Sequence, residues 1–392
     1  MKYKALHINK IVAMALVASM MCATPVFAAK TVPATVTTQE ETKTVTVLTL
    51  EDAIKKAKTH DYTLRDLADT NDYLEETKGD LWDAGLTFKV PTYDYPKWVG
   101  TAMHGYYSAL RTVETTTKQI RFSEELTNLT AEVTVMNYFA SILNTEATLE
   151  LLEASGDIAK TTYEQGKLKN SLGMLSQYEL NKLKADHENQ AAVIKQTKLS
   201  IEQTYVKLNA LMGEKPDAQF QLDYSVDFKP YEMTQSMEQY INNAMTNDLT
   251  IKLAEFKVDD AKFAWNLRNG SESKANNTEN EMSYDSAKRS LKQTKENKEL
   301  AIRTAYSNLE LSALEHQNLE AALVSAKADY RTAEVNFEAG NITQLTLNAA
   351  KMGVTKAQND LNSFEYSYDM QVFMFKNTSL LGAGGSASGE GK

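Results

Sequence analysis

The side chains in this 392-residue sequence able to bind a metal, attack a carbonyl or carry a proton are few, and their spacing keeps them apart. Its five histidines are His7, His60, His104, His187 and His316, and no His-x-x-x-His pair puts two imidazoles on one helical face. His316 falls on an apolar stripe, where a packed or hydrogen-bonded core histidine is expected. The single cysteine, Cys22, sits in an apolar segment near the N-terminus. There is no glycine loop to cradle phosphate, no Gly-x-Ser-x-Gly elbow and no acidic calcium loop. The residues therefore predict no catalytic, cofactor-binding or metal-binding site, and no enzyme.

What the sequence does repeat is a turn. Gly173-Met174-Leu175-Ser176-Gln177-Tyr178-Glu179-Leu180 recurs 167 residues later as Gly340-Asn341-Ile342-Thr343-Gln344-Leu345-Thr346-Leu347. Upstream of each copy a stripe runs at intervals of seven. It passes through Val135, Ile142, Leu149, Gly156 and Tyr163, and at the same offset through Ile302, Leu309, His316, Leu323, Tyr330 and Phe337. A shared heptad phase ending in a shared turn predicts an internal duplication of a long helical hairpin with left-handed supercoiling.

The surrounding elements fit that reading. Residues 97–215 and 231–392 contain no proline, the strongest helix breaker. A single helix over residues 101–170 would be roughly 100 Å long. Such a helix cannot bury its stripe alone, so helices of the same and other chains must cover it. The return arms carry Ile194, Ile201 and Leu208 with Thr197, Thr204 and Leu211, and Leu345, Met352, Asn359, Tyr366, Phe373 and Leu380. Each closes on a glycine stop, Leu211-Met212-Gly213 or Leu380-Leu381-Gly382. Each hairpin is preceded by a shorter helix, one starting at Leu48-Thr49-Leu50-Glu51-Asp52-Ala53-Ile54 with Thr49 as N-cap, the other at Met237-Glu238-Gln239-Tyr240-Ile241.

The predicted organisation is a leader at 1–28, a linker at 29–47, a first repeat at 48–213, an extended connector at 214–234, a second repeat at 235–382 and a disordered tail at 383–392. Lys2, Lys4 and Lys10 ahead of an apolar run, with Val26-Phe27-Ala28 at its end, read as a secretory signal. A retained anchor and a lipoprotein site at Cys22 are the alternatives. Cleavage removes the cysteine and those three lysines, taking the net charge from −10 to −13 and arguing against nucleic acid as a partner.

Taken together, the signal, the tandem duplication, the Leu-Glu-Asp-Ala-Ile leading helix, the Gly-x-[Leu/Ile]-[Ser/Thr] turns and the terminal Leu-Met-Gly and Leu-Leu-Gly resemble the outer-membrane efflux protein family, the TolC-like channel tunnels. The likeness covers roughly residues 48–382. It implies an all-α, trimeric helical tube in the cell envelope. That tube would be a passive efflux conduit docking an adaptor (membrane fusion) protein and an inner-membrane ABC or proton-driven transporter. By the same resemblance Gly173, Met174, Leu175, Gly340, Asn341 and Ile342 would form the adaptor-docking tips. Glu179 and Thr346 occupy positions where members often carry an acid at the tunnel entrance, and here only the first is acidic.

The family also inserts a β-hairpin into each half to build a membrane barrel. In this sequence the first insertion, residues 79–100, offers one short strand through Leu86, Phe88 and Val90 before Pro91 and Pro96. The second, residues 268–283, is poor in strand formers. The expectation is a TolC-like tube without a complete barrel. Trp82, Tyr93, Tyr95, Trp98, Tyr106 and Tyr107 mark that end, as a cap of the bundle or as a contact to membrane or wall polymer. A non-conducting coiled-coil scaffold and an adaptor-like envelope protein remain the alternative functions.

Overall fold

The computed structural model describes residues 46–87, 97–268 and 274–382. The expectations for the leader, Cys22, Phe88, Val90, Tyr93, Tyr95 and the tail lie outside the described residues. The chain opens with β1 (Thr46–Thr49) and α1 (Leu50–His60). The Thr49 hydroxyl accepts the Asp52 amide at 3.2 Å, and Glu51 and Asp52 complement the positive end of the helix. Asp61 separates α1 from α2 (Tyr62–Thr87), capping it by accepting the Thr63 amide at 2.7 Å.

Next comes α3 (Lys97–Ser171), an unbroken helix of 75 residues and so about 110 Å long. It turns into α4 (Gln177–Met212), which Gly213 ends in the left-handed conformation at φ 72°. After β2 (Phe220–Asp223) the plan repeats as α5 (Met237–Asn247), α6 (Leu249–Arg268), α7 (Lys274–Glu338) and α8 (Gln344–Lys376), closed by a 3-10 turn, Thr378–Leu380.

Each long helix is flanked by two shorter ones in succession: α2 and α4 pack along α3, and α6 and α8 along α7. The two repeats join where α8 packs on α3, giving a layer in the order α4, α3, α8, α7. A two-stranded parallel sheet, Thr46 opposite Phe220 through Thr49 opposite Asp223, ties the start of the first repeat to the connector. Among the described residues no helix is long and apolar enough to cross a membrane.

The core lies in a belt at mid-height rather than along the arms. Val135, Phe139, Ile142 and Leu208 are buried there with Ala53 and Ala57 of α1, and the second repeat mirrors this with Ile241, Ile302, Leu309, Tyr368 and Phe375. Along the outgoing arms the heptad stripe is buried at Val135, Ile142, Ile302, Leu309, His316 and Leu323, and half-buried toward the turns at Leu149, Tyr163, Tyr330 and Phe337.

Three expectations need correction. Leu86 is not in a strand but in the last turn of α2, and the helices leave nine residues (88–96) and five (269–273) at the two insertion points. Two spanning strands need about twenty residues. Among the described residues there is no closed barrel, and nine and five residues are too few for two such strands apiece. Second, α8 does not run to Gly382. It ends at Lys376 with Asn377 as C-cap, and Leu380 belongs to the 3-10 turn.

Third, the stripe that α8 buries is Leu361, Tyr368 and Phe375, the last two packed with Ile302 and Leu309 of α7. The predicted stripe faces the first repeat instead. Asn359 donates to the Ala147 carbonyl at 3.0 Å, Tyr366 stacks on Tyr224 at 4.8 Å, and Phe373 joins the first repeat's core. A helix with neighbours on two sides carries two heptad patterns, offset here by two residues.

Candidate functional site

The two hairpin turns are built alike. After α3 the Gly173 amide donates to the Asn170 carbonyl at 2.9 Å and the Met174 amide to the Lys169 carbonyl at 2.8 Å. After α7 the corresponding bonds run from Gly340 to Phe337 at 2.9 Å and from Asn341 to Asn336 at 2.8 Å. This paired pattern ends a helix on a left-handed residue, and Gly173 and Gly340 hold φ at 71° and 73°. Nothing stands near either glycine where a Cβ would go, so glycine is required here by the backbone and not by crowding. The turn places Gly173, Met174, Gly340 and Asn341 at the exposed apices, while Leu175 and Ile342 are half-buried.

The next helices start differently. Ser176 accepts the Glu179 amide at 3.2 Å, and the Glu179 carboxylate accepts in return from the Ser176 amide at 3.0 Å and hydroxyl at 2.8 Å, a complete capping box. The Ser176 hydroxyl, and after it the Ser176 amide, hold the Glu179 carboxyl below its ordinary range. At the second turn Thr343 accepts the Thr346 amide at 3.3 Å, and the two hydroxyls lie 3.1 Å apart. Glu179 thus has a local structural duty that the spacing Ser-x-x-Glu carried in plain view.

Two polar clusters in the belt escaped the sequence reading. His316 stacks on Phe228 with centroids 3.5 Å apart and planes within 3°. Its Nε2 lies 3.1 Å from Glu365 of α8, and its Nδ1 3.6 Å from Glu320. The position was legible as a core histidine, but its acidic partners were not. The other joins Asp248, Lys298, Thr378 and Ser379, all buried. Its signal was a lysine on the stripe of Ile302, Ala305 and Leu309, one turn before Ile302. Among the described residues no three of His, Cys, Asp and Glu gather as a metal site.

Each tip closes a pair of antiparallel helices, α3 with α4 and α7 with α8. Residues 241–372 match the family profile described as outer membrane efflux protein. That match spans most of the second repeat, which resembles the outer membrane efflux proteins. Around it the whole fold is that of TolC-like helical tunnels.

The outer membrane protein VceC of Vibrio cholerae matches with a TM-score of 0.58 at 15% identity, over 84% of this chain and 96% of that one. The Campylobacter jejuni CmeC outer membrane channel matches with a TM-score of 0.63 at 14% identity, over 91% and 94%. The Neisseria gonorrhoeae MtrE outer membrane channel, solved in its open state, matches with a TM-score of 0.54 at 12% identity, over 85% and 89%. No curated protein matches the chain by sequence. At these identities the structural likeness speaks for the fold.

Proposed function

We propose that this protein is one protomer of a trimeric, barrel-less efflux tunnel of the cell envelope. Its hairpin tips dock an adaptor protein and thereby an inner-membrane transporter. The observation that carries this reading is the state of the two helices at the edges of the four-helix layer.

On α4 an exposed stripe runs at intervals of seven through Tyr178, Ala185, Ala192, Leu199 and Val206. On α7 another runs through Leu300, Ser307, Leu314, Ala321, Ala328 and Val335, with Leu300 65%, Leu314 58% and Val335 61% exposed. Neither stripe meets a partner helix within the chain, although each has the period of a coiled-coil seam. Joining the α7 edge of one copy to the α4 edge of the next is a head-to-tail contact, which closes into a ring when the rotation allows. Three copies of a four-helix layer give a twelve-helix wall, as the family resemblance implies.

With nine and five residues at the insertion points, the tube ends within the envelope rather than in a barrel of its own. The same shortness favours the alternative of a non-conducting scaffold. Two measurements separate these readings. Sedimentation of the chain from residue 29 onward should give three times the protomer mass, and a monomer with its edges satisfied sinks the tunnel. Cells lacking the protein should retain fluorescent efflux substrates that cells with it expel. Unchanged retention with an intact trimer leaves the scaffold.

A further inference from the structure

Duplication supplies an internal control. Around the two turns, positions 167 apart have the same backbone, so the tips can be compared residue by residue. At the apex of the first turn Leu172 and Met174 are 64% and 72% exposed. Their counterparts at the second are Ala339 and Asn341. A large apolar apex thus stands at one tip, and a smaller, more polar one at the other. Exposed apolar clusters of this kind mark contact sites.

The first tip is also the stiffer. The Asn170 side-chain amide donates to the Leu175 carbonyl across the turn at 2.8 Å, and its counterpart Phe337 has no such donor. Beneath it Gly166 lets the arms close so tightly that a Cβ there would lie 2.5 Å from Leu183 Cδ1, and its counterpart is Ala333. With the capping box, these contacts hold the apex in one shape before any partner arrives, which lowers the entropy lost on binding.

The charges differ in sign as well. Within eleven residues of Gly173 stand Lys167, Lys169, Lys182 and Lys184, the last 3.6 Å from Glu188, against Glu164 and Glu179. Within the same distance of Gly340 stand Arg331 and Lys351 against Asp329, Glu334 and Glu338. The lysine rim repels a second copy of the same tip and attracts an acidic surround.

We infer that the two tips are unequal. The first is the anchor, and it takes a protein partner that presents an apolar pocket rimmed by acidic residues. The second adds little affinity, so a trimer has three strong sites rather than six equal ones. This inference rests on the tip-docking reading above and names the chemistry of the partner that reading requires.

The test places p-benzoylphenylalanine at position 174 or at position 341 of the full chain in its own cells. Crosslinked peptides are identified by mass spectrometry, and trimer mass is checked for each variant. The expected yield at 174 exceeds that at 341 by at least ~tenfold, the worth of one buried anchor. The peptide captured at 174 should be apolar with Asp or Glu flanks. The yield from a probe at 172 should fall by a similar factor in Met174→Asn, which gives the first tip its counterpart's residue, and in the pair Lys182→Glu, Lys184→Glu.

Equal yields at the two tips, a basic captured peptide, or a peptide of this same chain overturn the inference and leave tip docking standing. Absence of crosslinks at both tips from an intact trimer overturns tip docking itself.

Discussion

Asp248 and Lys298 form the one ion pair among the described residues in which both side chains are almost wholly out of water, 0% and 4% exposed at 3.1 Å. Removing two charges from water is unfavourable unless the remaining valences are met. Here they are. Asp248 also accepts from the Thr250 amide at 2.9 Å and the Thr378 hydroxyl at 2.9 Å, while Lys298 donates to the Thr378 and Leu381 carbonyls at 2.8 and 2.6 Å. The cluster pins the closing 3-10 turn to the junction of α5 and α6.

Burial alone would raise the Asp248 carboxyl, but the Thr250 hydroxyl, the Lys298 charge and the Thr378 hydroxyl outweigh it and hold the group below its ordinary range. A folded-state value below the unfolded one stabilises at pH above the unfolded carboxylate range. That stability drains away as pH falls through the depressed folded value. Asp248→Ala leaves the ammonium buried and uncompensated, and should destabilise by about 3–5 kcal/mol in urea melts at pH 7. Lys298→Met should lose less, because the carboxylate keeps its Thr250 and Thr378 donors. The variant Asp248→Asn should flatten the acid limb of a stability-against-pH profile, and an acid limb of unchanged slope would assign that limb to other carboxylates.

Hairpin arms in the two repeats solve the same crossing differently. Where the second has His316 between Glu320 and Glu365, the first has Leu149 on the stripe and a direct Glu153 to Lys198 ion pair at 2.7 Å. Since the offset is 167 along both arms of the hairpins, the double variant His316→Leu, Glu365→Lys transplants the first solution into the second hairpin. It should keep helix content and change stability by no more than about 1 kcal/mol, the range of an exposed ion pair. His316→Leu alone leaves Glu365, 20% exposed, without its ring partner and should lose more than the pair. If the single variant equals or exceeds the double in urea melts, the two crossings are not interchangeable.

Heptad phase made the outgoing arms and the turns legible in the sequence, because α3 and α7 bury the stripe where they cross the belt and keep it half-buried toward the turns. The return arm α8 was misread for a physical reason: it is packed on two sides, so two stripes compete and spacing alone cannot say which faces which helix. The buried Asp248 cluster escaped because its members are separated by up to 131 residues and meet only through tertiary packing.

The four-helix layer leaves its edges open, and the way it closes decides what the molecule is. Within a protomer the α3 to α8 joint is filled by large rings and amides, Tyr366 on Tyr224 and Asn359 on Ala147 among them. The open edges mix Leu, Val or Tyr with Ala or Ser, a composition that lets helices approach closely yet buries less per residue. The seam between copies should therefore part before the joint within a copy does. Dilution or moderate urea should yield folded protomers before it yields unfolded chain. Leu300→Lys with Leu314→Lys puts two charges into that seam and none into the protomer core, since both side chains already face water in the isolated chain. The variant should sediment as a monomer while keeping its helix content and its melt within about 0.5 kcal/mol of an isolated wild-type protomer. It should also lose efflux to the same degree as deletion. A variant that stays trimeric places the seam elsewhere, whereas one that becomes monomeric yet still expels substrate would mean that export does not run through a closed tube.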